Sequence, residues 1–255
     1  MIVVGLVGVL AASLGIARLR PGPFVALFPG LFVVGSVLTW ATVSGIWLRA
    51  TARELPSTGM SAPRRWRGLP LGDANTLTLT RGWLVSLLAG FALSGRAEGP
   101  LSIMPGVLYA AAALSDRYDG ILARRLGQVT SLGRRLDVSM DALGLLVASL
   151  VGVRWGRLPA WYLVLGFAYY LFGIGLWARR RLGLPVHPER LRPYATARFF
   201  AGVQMVMCVV ALFPVLSARW MAWVASAAMV PTLGLFARDW LIVIGRRQPT
   251  GNSER

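Results

Sequence analysis

Eight apolar runs of about 17–25 residues recur along the chain, and they limit its fold more than any other feature. They lie at 2–17, 24–48, 77–94, 101–118, 136–153, 159–178, 196–216 and 219–243. About 20 helical residues cross the hydrocarbon core of a bilayer, so each run has the length of one span. The 255 residues are 56% hydrophobic and only 15% charged, whereas soluble domains carry about 25% charge. Glycine and proline inside the runs do not defeat this reading, because membrane helices tolerate both. The pattern predicts an all-α, polytopic membrane helix bundle.

The net charge of +17 does not point to nucleic acid. Every basic residue is arginine, and most lie at the ends of apolar runs, where they set topology and attract anionic lipid. With the loop 49–67 taken as cytoplasmic, twenty-one arginines fall on its side and six on the other. The positive-inside rule therefore predicts that both termini face the cytoplasm of a bacterial-type membrane. The opening "MIVVGLVGVLAASLG" lacks the basic n-region of a secretory signal and reads as a span. Cys208 has no cysteine partner and reads as a small packed residue.

Residues 1–48 read as a two-span hairpin, 49–73 as a cytoplasmic linker, 74–245 as a six-span core and 246–255 as a cytoplasmic tail. The second half of the linker sets Trp66, Leu69 and Leu71 among arginines. It lies either along the membrane surface or in solvent.

One window conflicts with the apolar pattern. Asp116, Asp119, Asp137 and Asp141 fall inside or beside two predicted spans. A charged side chain at mid-bilayer costs roughly 2.5–3.5 kcal/mol on insertion scales. Asp116, Asp119, Gly120 and Ala123 share one helix face, and Gly133, Asp137 and Asp141 share another. A turn within "RRLGQVTSL" lets both faces point into one space. Clustered carboxylates repel unless cations intervene, and oxygen-only ligands select hard ions such as Mg²⁺ or Mn²⁺. Two such ions bring four carboxylates near neutrality. Gly120, Ala123 and Gly133 leave room for a substrate, and Arg124 offers a planar charge to a phosphate. That combination points to phosphoryl-type transfer.

The spacing "DRYDGILARRLGQVTSLGRRLDVSMD" resembles, without a gap, the signature of the CDP-alcohol phosphotransferase (CDP-alcohol phosphatidyltransferase) family. The matching positions are Asp116, Asp119, Gly120, Ala123, Arg124, Gly133, Asp137 and Asp141. The upstream "NTLTLTR", with Asn75, Thr78 and Arg81, is similar to the start of the family's first core helix. The resemblance covers about residues 70–245 and leaves the N-terminal hairpin without a role. It implies cleavage of a CDP-linked donor, release of CMP and transfer of the phosphoalcohol to a hydroxyl. It implies that the four aspartates hold two divalent metals and that Asp141 is also the general base. It implies that Asn75, Thr78, Gly120, Ala123, Arg124 and Gly133 line the nucleotide site. It further implies a homodimer with a site open to the cytoplasm.

The acceptor is less constrained. The loop 178–198 carries six arginines on the predicted active-site side. Arg192 and Arg198 are the candidates for contact with a phosphorylated acceptor such as glycerol 3-phosphate or an inositol phosphate. The other reading of these arginines is a basic loop near lipid headgroups. His187 reads as a loop residue, and Trp40, Trp47, Tyr169 and Tyr170 as packing or interfacial anchors. The leading expectation is transfer of a phosphatidyl group from CDP-diacylglycerol to a polar alcohol. One alternative is a CDP-amino alcohol donor with a diacylglycerol acceptor. Another is an ion-coupled transporter, which would not need Gly120, Ala123, Arg124 and Gly133 at that spacing.

Overall fold

The computed structural model describes residues 2–18, 27–52, 73–94, 96, 99–125, 131–191, 195–213 and 215–245. Side chains are described within 3–16, 31–46, 48, 80–94, 96, 99–116, 137–191, 196–213 and 215–245. Most of the linker, the tail and Arg192 lie outside these residues.

The described residues form eight α-helices and no strand. These are α1 (Ile2–Arg18), α2 (Leu27–Ala52), α3 (Asp73–Ser94), α4 (Met104–Arg125), α5 (Ser131–Arg154), α6 (Leu163–Arg181), α7 (Ala195–Leu212) and α8 (Ala218–Val243). Each corresponds to one predicted apolar run. The boundaries differ at the polar ends. α4 starts after a 3-10 turn at Gly99–Ile103 and continues to Arg125, and α5 already begins at Ser131. Backbone hydrogen bonding carries these helices past the point where their side chains stop being apolar.

By length and composition, two stretches of the described residues are apolar enough to cross a membrane: Ala160–Arg181 and Ala218–Val243. Val3–Ile16, Leu31–Ile46 and Thr196–Leu212 are apolar but shorter. α3, α4 and α5 carry the charges discussed below, which lowers their hydropathy.

α3 and α5 form the centre of the bundle. α3 packs against α1, α2, α4 and α5, while α5 packs against α2, α3, α4, α6 and α7. The α2–α3 approach depends on small residues, as in membrane helix pairs. A Cβ added at Gly35 would lie 2.8 Å from the Ala89 carbonyl oxygen. One added at Gly90 would lie 2.7 Å from the Phe32 ring. Aromatic rings extend this contact to the end of α5. Phe32 and Phe91 meet edge to face at 4.8 Å, as do Phe91 and Trp155 at 5.9 Å. Trp155 Nε1 also donates to the Phe91 carbonyl at 3.3 Å.

A buried polar chain joins the second half of the bundle. Tyr162 OH donates to Gln204 Oε1 at 2.5 Å. Gln204 Nε2 donates to the Ala228 carbonyl at 2.7 Å and to Thr232 Oγ1 at 2.8 Å. These bonds link the turn before α6 to α7 and α8, and they satisfy an amide that is fully buried. α6 ends in a Schellman motif. Gly183, at φ +67°, donates to the Arg180 carbonyl, and Leu184 donates to that of Arg179.

Candidate active site

Three carboxylates converge where α3, α4 and α5 meet. Asp137 and Asp141 are one helical turn apart on α5 and so share a face. Asp116 lies on α4, the helix joined to α5 through residues 126–130. Each of the three offers one oxygen, and these oxygens all lie within 4.8 Å of one another. Hard cations bind oxygen at roughly 2.0–2.6 Å, so oxygens spaced up to about 5 Å apart can share one ion. The donors are all oxygen, which favours Mg²⁺ or Mn²⁺ over the softer metals. The residues present therefore fit a divalent cation. Asp137, the most exposed of the three at 52%, marks the side on which the cluster opens.

The centre of the cluster holds a side chain that was not among the candidate site residues. Arg81 of α3 reaches all three carboxylates. Its Nη1 donates to Asp116 Oδ1 and, at 3.1 Å, to Asp137 Oδ1. Its Nη2 donates to Asp141 Oδ1 and, at 3.4 Å, to the Asp137 carbonyl. Arg81 is only 4% exposed, so these carboxylates are its main charge partners. A small cavity adjoins the cluster, lined by Arg81, Asp141, Tyr109, Met140, Gly144 and Met205. Its lining is ionic at Arg81 and Asp141 and apolar at Met140 and Met205.

The other candidates are placed less completely. Asp119, Gly120, Ala123 and Arg124 belong to α4, Gly133 to α5, and Asn75 and Thr78 to α3. Their side chains lie outside the described residues. Arg198 is exposed in the first turn of α7. It shares a helix face with Met205, two turns on, which lines the cavity. His187 lies apart from the cluster, in the loop before α7, with Nδ1 3.1 Å from Glu189 Oε1. A hydrogen bond from its own backbone N–H, with help from His187, holds the Glu189 carboxyl below its usual range. Tyr169 and Tyr170 stack edge to face, and Trp40 is buried.

The comparisons with known proteins agree with the geometry. A family profile described as CDP-alcohol phosphatidyltransferase matches residues 73–231. A cardiolipin synthase (CMP-forming) of Streptomyces coelicolor is 34% identical over 162 residues, covering 61% of this chain and 70% of that protein. A probable phosphatidylglycerophosphate synthase of Mycobacterium tuberculosis is 37% identical over 114 residues, covering 43% of this chain and 52% of that protein. The match therefore spans about half the length of the mycobacterial relative. No solved structure matches the chain. The profile runs from the first residue of α3 into α8 and takes in all three converging aspartates and Arg81, so the chain belongs to the CDP-alcohol phosphatidyltransferase family.

Proposed function

We propose that this transferase of phospholipid synthesis moves the phosphatidyl group of CDP-diacylglycerol to the hydroxyl of a polar alcohol and releases CMP. The observation that carries this reading is the meeting of Asp116, Asp137 and Asp141 at one point, within the segment the family profile matches. With Asp119 they would hold two divalent cations, Mg²⁺ or Mn²⁺. When bound, these ions would offset charge on the donor diphosphate. Asp141 accepts the proton of the acceptor hydroxyl. The hydroxyl oxygen then bonds to the phosphorus of the phosphatidyl group, and the P–O bond to CMP breaks with its electron pair going to CMP. Asn75, Thr78, Gly120, Ala123, Arg124 and Gly133 line the nucleotide site in this reading. Arg192 and Arg198 meet a phosphorylated acceptor. The products named for the two relatives, phosphatidylglycerophosphate and cardiolipin, carry glycerol in the headgroup, which favours a glycerol-type acceptor over an inositol phosphate.

The same reading places the protein in the cytoplasmic membrane as a homodimer, with six core spans after a two-span hairpin. Both termini and the site face the cytoplasm. The outward side chains support lipid contact. Val3, Val4, Leu171, Ile174, Trp177, Trp223 and Val230 are all more than half exposed, a pattern unusual for a water-soluble surface.

The test is an acceptor screen on purified protein with Mg²⁺ or Mn²⁺, following CMP. CDP-diacylglycerol is offered with glycerol 3-phosphate, an inositol phosphate or phosphatidylglycerol, and CDP-choline is offered with diacylglycerol. CMP from the first donor alone is the expected result. CMP from the second donor would reverse the roles of lipid and alcohol, and consumption of neither would end the enzyme reading. Asp141→Asn should abolish CMP release; if release continued, Asp141 would not be the base.

A further inference from the structure

We propose that Arg81 is an exchangeable counter-ion: it neutralises the carboxylate cluster in the metal-free protein and must leave that position when divalent cations bind. The inference rests on the metal-site reading above and concerns a residue to which that reading gives no role. Three observations carry it. First, both terminal nitrogens of the guanidinium bond to the carboxylates that would hold a cation, meeting Oδ1 of Asp116, Asp137 and Asp141. The guanidinium touches the same three carboxylates that a shared ion would have to touch, so the two cations would stand side by side. Second, the charges do not balance. One arginine brings one positive charge against three carboxylates, so the cluster is short of positive charge once all three are ionised, as metal ligands must be. Third, Arg81 is buried, and like charges a few ångströms apart in such a place repel strongly. An incoming divalent ion would therefore push the guanidinium aside rather than share the site with it. The long flexible stem of arginine makes that move possible without shifting α3.

Arg81 thus has two effects of opposite sign. It offsets the mutual repulsion of three carboxylates, and it competes with a metal for them. A residue that merely braces the ligands would strengthen metal binding.

The experiment uses the full-length protein in detergent, stripped with a chelator, and Mn²⁺ as the probe. Calorimetric titration compares wild type with Arg81→Gln and Arg81→Lys. The expected result is Mn²⁺ affinity at least about tenfold tighter in Arg81→Gln than in wild type. Arg81→Lys, which keeps the charge but loses the fork, should be tighter by a few-fold. Metal-free Arg81→Gln should also unfold at a lower temperature than metal-free wild type and gain more from added Mn²⁺. Equal or weaker Mn²⁺ binding by the variants would overturn the proposal and make Arg81 a fixed brace. If no protein bound Mn²⁺, wild type included, the metal-site reading itself would fail. A measurement on wild type alone covers variants that do not fold. Modification of Arg81 by an arginine-selective dicarbonyl, mapped by mass spectrometry, should increase on Mn²⁺ saturation. An unchanged or reduced yield would overturn the proposal.

Discussion

Replacing Gly35 by alanine tests whether the close contact between α2 and α3 governs stability. The new Cβ would lie 2.8 Å from the Ala89 carbonyl oxygen and 3.2 Å from Gly90 Cα. Both are backbone atoms of α3, so no rotamer change relieves the clash and one helix must move. Overpacking of this kind costs about 1–3 kcal/mol. A glycine-to-alanine change inside a helix by itself contributes about 1 kcal/mol of stability. Gly45, on the same helix, isolates that contribution, because a Cβ there meets nothing within 4 Å. The two variants should therefore differ by about 1–3 kcal/mol, with Gly35→Ala the less stable. For a chain of this size 1 kcal/mol moves Tm by roughly 2–4 °C, so the gap should be roughly 2–12 °C. Cys208 provides the assay. It is the sole cysteine and fully buried on α7, so a thiol-reactive fluorophore responds only as the bundle opens. Equal melting temperatures for Gly35→Ala and Gly45→Ala would refute the argument and show that α2 and α3 have slack at this contact.

Tyr162→Phe leaves Gln204 Oε1 buried without its donor and should cost about 1–3 kcal/mol, read as an earlier loss of helical circular dichroism. The double variant with Gln204→Met should cost less than the sum of the singles, since both remove the same bond. Gly183→Ala forces a side chain onto a φ of +67° and should cost about 1 kcal/mol. Gly173→Ala inside α6, with open space around it, serves as control; equal melting of the two would deny the left-handed cap a role. Chelation should abolish CMP release, with Mg²⁺ or Mn²⁺ restoring it. Undiminished turnover by chelated protein would remove the all-oxygen metal site from the mechanism.

The helices were legible in the sequence because each coincides with a continuous apolar run. Their polar ends were not, which is why α4 outruns its apolar run to Arg125. The pairing of Asp137 with Asp141 was legible as well, since a four-residue interval puts both on one face. The position of Arg81 was harder to see. Counted with the other arginines it read as a topology signal, and within "NTLTLTR" it marked only the start of the first core helix. A charge count cannot separate an arginine at the interface from one buried among carboxylates. A usable signal was nonetheless present: Arg81 is the single charge between Asp73 and Arg96. The rule that isolated ionisable residues in apolar helices are functional covers it as well as it covers the aspartates. The Gly35–Gly90 contact had no such signal. The two glycines are far apart in sequence, and either alone is ordinary in a membrane helix.

The family match begins at residue 73, yet the hydrophobic core does not. Val9, Phe32, Trp40 and Val43 of the N-terminal hairpin share one buried cluster with Val85 and Leu88 of α3 and Met140 of α5. α3 therefore packs against the hairpin helices α1 and α2 as well as against α4 and α5. The contact comes close to the site. Gly82 follows Arg81 directly, and a Cβ there would lie 2.6 Å from Val43 Cγ1. Val43 thus packs against the backbone beside the residue whose guanidinium sits among the carboxylates. Cutting the chain back to its family-matched segment would strip Phe32 and Val43 from α3. The glycines Gly82 and Gly90 would be uncovered, and the helix that aims Arg81 would keep only its packing against α4 and α5.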